Sequence, residues 1–278
     1  MEIITSNKNG KIKNITALLK SKKERDEQGV FVIEGLRIFK DTLSTAPKYI
    51  ESVYISESLF SEAEKQEETD ALLDETSKVT KDITVVKDSV FESISQTVTP
   101  QGIMCTVRKP VYSLNEDGLF IFGDGDTEIS QDGKKKFLIL ENIQDPGNLG
   151  TMLRTAEAAG MSGIIMNRGC ADIFSPKIIR STMGSVFRVP FVYSDDLINT
   201  IKKLQTAGVK AFAAYLHGGI PYTEADYGDK YAIMIGNEGN GLTEEAAAVA
   251  DKRIYIPMSG NIESLNAAIA AAILMFKR

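Results

Sequence analysis

Apolar residues recur at helical spacing at Ile12, Ile15, Leu18 and Leu19, and Val30–Ile33 then runs as a continuous buried strand ending at Glu34-Gly35. The pattern continues with a helix over Leu36–Leu43, a strand at Ser52–Ile55 and an exposed helix in the acidic stretch beyond. Strands at Ile83–Val86 and Gly102–Val107 flank a helix at Ser89–Ile94, which completes a small α/β domain over residues 1–110. Between residues 111 and 136 the pattern breaks up. Asn115, Gly118, Gly123, Gly125 and Gly133 punctuate a linker with a short hairpin around Leu119–Asp126.

From Phe137 the alternation is clean. Strands are expected at 137–140, 163–166, 209–214, 231–235 and 253–256. Helices are expected to end at Ala159-Gly160, to open at Ser175-Pro176 with Ser175 as cap, and to cover Asp195–Thr206, Thr243–Ala250 and the stretch from Leu265. Apolar strands alternating with helices predict an α/β domain over residues 137–278, its mainly parallel sheet covered on both faces. Ligands of such sheets sit beyond the carboxyl ends of the strands.

Composition narrows the function classes. A length of 278 residues suggests two domains, although one α/β domain also fits, and 43% hydrophobic with 25% charged residues is the balance of a soluble globular protein. Its longest apolar candidate, Leu265–Phe276, is too short for a membrane span. The first residues carry no apolar leader region, and Cys105 and Cys170 form no CxxC pair or His/Cys cluster. The cysteine usage excludes a disulfide scaffold and a structural zinc and favours a reducing cytoplasm. The aspartates of residues 124–126 lack the spacing of a calcium loop.

The net charge of −6 argues against bulk electrostatic binding of nucleic acid. It is unevenly spread, however. Lys8, Lys11, Lys13, Lys20, Lys22, Lys23 and Arg25 face only Glu2 and Glu24 within the first 25 residues, a basic edge able to hold an anionic polymer. A solvated helical face is the plainer alternative. Residues 57–76 form an acidic counterpart with eight carboxylates against Lys65.

Three post-strand segments carry unusual residues: Glu141–Thr151 followed by Arg154, the glycine-rich Ile235–Leu242, and Ile256–Ala268. The glycine order of the second is neither the dinucleotide fingerprint nor a Walker loop, which argues against a dehydrogenase-type enzyme. Taken singly, such loops are often tight turns, and Ser264 is readable as an N-cap of the last helix. In this order, NIQDPGNLGTMLRTAEAAG, SPKIIRSTMGSVFRVP, IMIGNEGNGL and IPMSGNIESLNAAIAAAILMF resemble the SpoU (TrmH-like) branch of the SPOUT RNA methyltransferases. SNKNGKIKNITALLKSKKERDEQGVFVIEGLRIF and PQGIMCTV resemble that family's L30e-like RNA substrate-binding domain.

The resemblance implies a C-terminal knotted (trefoil) domain that holds S-adenosylmethionine and forms a homodimer. It implies 2′-O-methylation of a ribose in RNA. Ribosomal RNA of 23S type, free or in an assembling subunit, is favoured over tRNA by the N-terminal domain, and a non-catalytic RNA binder of the same fold is the remaining alternative. Cofactor contacts map to Ala214, Tyr215, Leu216, Gly236, Asn237, Gly239, Ile256, Met258, Leu265 and Ala268, and the catalytic set to Asn148, Arg154, Glu238, Ser264 and Asn266. The methyl sulfonium is already an electrophile, so no metal is required. A guanidinium stays protonated in proteins, so Arg154 is expected to grip a phosphate and stabilise a developing alkoxide. Glu238 is expected to anchor a loop and His217 to have no role as a base.

Overall fold

In the computed structural model, which describes residues 3–63, 67–115, 117–123, 127–128, 135–262 and 264–277, strand β1 (Ile3–Ile4) leads into helix α1 (Gly10–Lys20). Asn9 caps α1 by accepting the Lys11 N–H at 2.8 Å. Helix α2 (Lys22–Gln28) ends at Gly29, whose φ of 67° turns the chain into β2 (Val30–Glu34). There follow α3 (Leu36–Thr45), β3 (Ile50–Ser56), α4 (Glu57–Ala63), α5 (Glu67–Val79), β4 (Asp82–Val86), α6 (Asp88–Ile94) and β5 (Ile103–Arg108). The strands make a mixed sheet in the order β1-β4-β3-β5-β2. On one face Ile12, Ile15 and Leu18 of α1 and Val90, Phe91 and Ile94 of α6 close over Val30, Val32 and Tyr54.

This unit also takes in Phe174–Phe187 from far along the chain. Phe31 of β2 meets Phe174 at 4.9 Å and Phe187 at 6.0 Å between ring centroids. The segment's short helix packs on β2. Ser175 precedes that helix but makes no capping bond, and its Oγ is buried without a partner among the described residues.

The basic edge is narrower than its sequence suggests. Arg25 is 4% exposed, and its guanidinium donates to the Leu18 and Leu19 carbonyls, which the end of α1 leaves without helical partners. It therefore closes the helix and is not available to RNA. Lys11 is held by Asp82 at 2.6 Å and Thr84 at 3.0 Å. Lys8, Lys13, Lys20, Lys22 and Lys23 are exposed. Arg25→Ala is expected to strip two buried carbonyls of their donor and lower stability by about 2 kcal/mol. Urea unfolding of the variant against the parent checks this, and an unchanged midpoint would remove Arg25 from the helix end.

The second unit begins at Val111. Strands β6 (Tyr112–Leu114), β7 (Phe120–Phe122) and β8 (Thr127–Glu128) form a small antiparallel sheet. Phe120, in the expected linker, is 2% exposed and packs against Phe137 with centroids 6.0 Å apart. It lies so close over Gly163 that a Cβ there would meet the ring at 2.2 Å. Phe120 is thus part of this unit's core, with Tyr112 and Leu114 packed against it, whereas residues 116, 124–126 and 129–134 lie outside the described residues.

Beyond them run β9 (Lys135–Leu140), α7 (Pro146–Ala158), β10 (Gly163–Asn167), α8 (Pro176–Thr182, the helix of the first unit), β11 (Phe191–Ser194), α9 (Leu197–Thr206) and β12 (Lys210–Ala214). The chain finishes with β13 (Ile220–Pro221), β14 (Lys230–Ile235), α10 (Glu244–Val249), β15 (Lys252–Tyr255) and α11 (Ala267–Met275). All seven strands from β9 onward are parallel, in the order β11-β10-β9-β14-β12-β15-β13. Helices α9 and α10 bury Leu197, Ile201, Leu204, Ala246 and Ala247 against the sheet, and α11 packs on α7. Among the described residues no helix is long and apolar enough to cross a membrane.

Candidate functional site

The carboxyl ends of β12, β14 and β15 open onto one cavity of about 350 Å³. A parallel sheet leaves its loops there, and each loop is tied by its own polar side chains. After β9, Glu141 is 7% exposed and accepts both the N–H and the hydroxyl of Thr243 at 2.8 Å, fixing the start of α10. After β14 the chain turns back on itself, with Asn237 N–H donating to Gly241 O at 3.0 Å and Gly241 N–H returning to Asn237 O at 2.8 Å. Gly236 is enclosed by this turn. A Cβ on it would lie 2.0 Å from the backbone of Gly241 and Leu242.

Ala214, Tyr215, Leu216, Gly236, Asn237, Gly239, Ile256, Met258 and Leu265 line the cavity, as their sequence positions suggest. Ala268 is not among the lining residues: it is 3% exposed, and its N–H is taken by Asn266 Oδ1 at 2.9 Å. Asn237 lines the wall, yet its amide serves the loop. Its Oδ1 accepts from Gly239 and Asn240 N–H at 3.0 and 3.1 Å, and its Nδ2 donates to Asn142 O at 2.8 Å. Sequence reading missed Leu242, Ala267, Ala270 and Leu274 in the wall. The last three recur along one face of α11, a helical spacing that was open to view.

Tyr215 is held at the rim. Its hydroxyl donates to Glu244 Oε2 at 2.7 Å, and Arg253, itself bonded to Glu244, lies 4.6 Å over its ring. Leu216, Leu242, Leu265 and Leu274 present apolar surface, while the Gly236–Gly241 loop leaves backbone groups at the wall and has no room for a side chain at 236. Such a chamber, apolar with backbone donors and acceptors and of small-ligand volume, fits an adenosyl group with its amino-acid tail.

Beside the cavity, hydrogen bonds gather three of the predicted catalytic residues. Glu238 accepts from Gln144 N–H at 3.2 Å, Asp145 N–H at 2.9 Å and Asn148 Nδ2 at 3.1 Å. Asn148 in turn accepts from Asn266 Nδ2 at 2.9 Å. Burial alone would raise the Glu238 carboxyl. The hydrogen bonds from Asn148 and from the Asp145 and Gln144 backbones outweigh it and hold the carboxyl below the ordinary glutamate range. A depressed carboxyl is charged throughout the neutral range, and its stabilising bonds weaken only as pH falls through its folded value. That suits an anchor and not a proton acceptor.

Asn266, and not Ser264, caps α11, with Oδ1 accepting the N–H groups of Ala268 and Ile269 at 2.9 and 3.3 Å. Ser264 is exposed at the cavity wall, where its hydroxyl is available to a ligand. Arg154, further along α7, is outside the network. It is exposed and makes no hydrogen bond or ion pair among the described residues. His217 lines the cavity within an exposed turn.

Comparison with known proteins agrees with this geometry. Residues 135–276 match the SpoU rRNA Methylase family, and residues 9–105 match an MRM3-like substrate binding domain. The chain is 32% identical to the 23S rRNA (guanosine(2553)-2'-O)-methyltransferase RlmP of Bacillus subtilis, covering 99% of this chain and 98% of the relative. It is 27% identical to the mitochondrial rRNA methyltransferase 3 of Homo sapiens, over 96% of this chain and 71% of that one. Its fold superposes on the AdoMet-bound rRNA methyltransferase from Sinorhizobium meliloti with a TM-score of 0.81 and 33% identity, covering 99% and 96% of the two chains. With its cavity, its polar network and these matches together, the chain belongs to the SpoU rRNA methylase family.

Proposed function

We propose that the protein transfers a methyl group from S-adenosylmethionine to a ribose 2′-hydroxyl of ribosomal RNA, of the 23S type, breaking the sulfur–methyl bond to release S-adenosylhomocysteine and passing the hydroxyl proton to solvent. The observation that carries this reading is the bonded series Asn266–Asn148–Glu238, which ties the cavity wall to the start of α7, the helix on which Arg154 stands exposed. S-adenosylmethionine supplies an activated methyl group when bound. The chain has to hold the hydroxyl in line and accommodate the charge that develops on its oxygen, and placement accounts for much of the acceleration. Arg154, exposed and without a partner among the described residues, takes the adjacent phosphate and steadies the alkoxide; Asn148 and Asn266 orient the ribose with the Ser264 hydroxyl, and Glu238 holds Asn148. Purified protein with labelled cofactor, offered total rRNA and tRNA from cells lacking the gene, is expected to place a 2′-O-methyl nucleoside in rRNA alone. Transfer to tRNA alone would reverse the substrate assignment.

Glu238→Gln tests the anchoring role. The variant presents an amide to donors that need an acceptor, so transfer is expected to fall about tenfold. Single-turnover transfer by the variant checks this, and an undiminished rate would remove Glu238 from the anchoring role.

The remaining roles follow from exposure and charge. Residues 1–110 form the substrate-binding domain and dock RNA through Lys8, Lys13, Lys20, Lys22 and Lys23, all exposed. The double variant Lys13→Glu, Lys20→Glu is expected to weaken RNA binding and to lower the salt slope by about 2 while cofactor affinity holds. An unchanged slope would move the docking surface elsewhere. Helix α11 is apolar nearly all round, yet Ile269 and Phe276, one heptad apart, are each about half exposed. That supports a homodimer built on this helix, within a knotted C-terminal domain. Two buried unpaired thiols, Cys105 and Cys170, suit the cytoplasm.

A further inference from the structure

The loop between β9 and α7 carries the start of the helix that bears Asn148 and Arg154, and it is stitched on its outer flank to the end of β10. Asn142 sits in this loop at φ 56°, a left-handed conformation that asparagine tolerates and most side chains do not. Its N–H donates to Asn167 Oδ1 at 2.9 Å, and Asn167 Nδ2 donates back to Asn142 Oδ1, also at 2.9 Å. The pair lies so close over the next turn that a Cβ on Gly169 would meet Asn142 Oδ1 at 1.8 Å. Ile143 N–H then donates to Cys170 Sγ at 3.3 Å, and Ala171 N–H to Ile143 O at 2.8 Å. On the inner flank Asn142 O receives Asn237 Nδ2 at 2.8 Å. Asn167 thus stands at the outer end of a brace that crosses from β10 through the β9 loop to the β14 loop.

Resting on the methyltransferase reading above, we infer that Asn167 is a positioning residue for methyl transfer: through its reciprocal bond with Asn142 it sets the angle at which the β9 loop launches Asn148 and Arg154. The cofactor wall does not depend on it in the same way. The Gly236–Gly241 turn closes on its own backbone bonds and on the Asn237 Oδ1 contacts, none of which involves Asn167. Loss of Asn167 therefore loosens the RNA-facing side of the site and spares the chamber. Small misplacements of that side are costly, since an error near 1 Å in a reacting group can cost about a hundredfold in rate.

The test compares full-length Asn167→Ala and Asn167→Asp with the parent, reading cofactor Kd by calorimetry and single-turnover transfer to rRNA. In Asn167→Ala both bonds to Asn142 are gone, and the transfer rate is expected to fall at least about tenfold with the cofactor Kd within about threefold. Asn167→Asp keeps the acceptor for the Asn142 N–H, and the Asn142 amide can turn to donate to the new carboxylate. It is expected to recover the rate to within about threefold of the parent. Undiminished transfer in Asn167→Ala, a Kd that rises in step with the rate loss, or an aspartate variant as slow as the alanine one would each overturn the assignment. If Asn167→Ala fails to fold, Asn142→Gly accepts the positive φ and deletes the Asn167 Nδ2 bond to Asn142 Oδ1 while its own N–H still donates to Asn167 Oδ1, so a smaller loss of rate at parental cofactor Kd is expected, and an undiminished rate would overturn the assignment. A parent protein that binds cofactor but methylates no RNA would overturn the methyltransferase reading and this assignment with it.

Discussion

Arg154→Ala is expected to lower methyl transfer by at least about a hundredfold, the loss typical of deleting one preorganised group that meets developing charge. Cofactor Kd is expected to stay at the parental value. The two halves of this expectation rest on different observations. Arg154 is exposed and bonded to nothing among the described residues, so its removal orphans no partner among them and the fold is expected to keep its stability. It is also absent from the cavity wall, so the cofactor loses no contact. What is lost is a permanent cation on the helix that starts at the polar network. Arg154→Lys restores the charge without the planar fork and is expected to recover only part of the rate, because a compact ammonium cannot hold a phosphate bidentately. Rapid-quench single-turnover transfer with saturating cofactor, alongside calorimetry, separates the effects. A parallel loss of cofactor binding would place Arg154 in the chamber and defeat its assignment to RNA.

How much of this was legible from the chain depends on how local each feature is. Strands such as Phe137–Leu140 and Tyr231–Ile235 announce themselves because burial on both faces demands unbroken apolar runs. Motif order brought Asn148, Glu238 and Asn266 into one site, and hydrogen bonds join them. Pairwise choices made in space were hidden. Arg25 belongs to a run of cations, and only the geometry of the end of α1 reveals that two carbonyls there claim it. Ser175 has the residue type of a cap and makes no capping bond, whereas Asn266 outcompetes Ser264 because it stands directly before the first helical turn. The glycines of residues 111–136 suggested a linker, but Phe120 finds a niche only because Gly163 has no side chain. The incorporation of Phe174–Phe187 into the first unit rests on aromatic contacts with Phe31 and Tyr49, residues remote in sequence. The positive φ of Asn142 is unsigned in sequence, since asparagine is ordinary in loops and its partner lies at the end of a different strand.

Gly236→Ala is expected to raise the cofactor Kd at least about a hundredfold, a loss of about 2.7 kcal/mol. The cause is a single methyl group with no way out. At this position the new carbon would lie 2.0 Å from Gly241 C and Leu242 N and 2.2 Å from Gly241 O, all backbone atoms that no rotamer change can move aside. Relief requires the turn itself to open. Opening it breaks the mutual bonds of Asn237 and Gly241 and withdraws the wall that residues 236–242 give to the cavity. The same loop carries Glu238, so Asn148 loses its anchor as the chamber loses its side. Transfer measured at saturating cofactor is therefore also expected to fall, unlike the clean separation expected for Arg154→Ala. Gly239, in the same loop, would meet nothing closer than Asn237 Oδ1 at 3.6 Å, so an alanine there is expected to bind cofactor far more tightly than one at 236. The fold should survive at position 236 with a penalty of about 1–3 kcal/mol, the usual cost of overpacking. Calorimetric titration of a variant shown by circular dichroism to be folded decides the matter. Parental affinity in Gly236→Ala would mean that this turn is not the wall on which the cofactor depends.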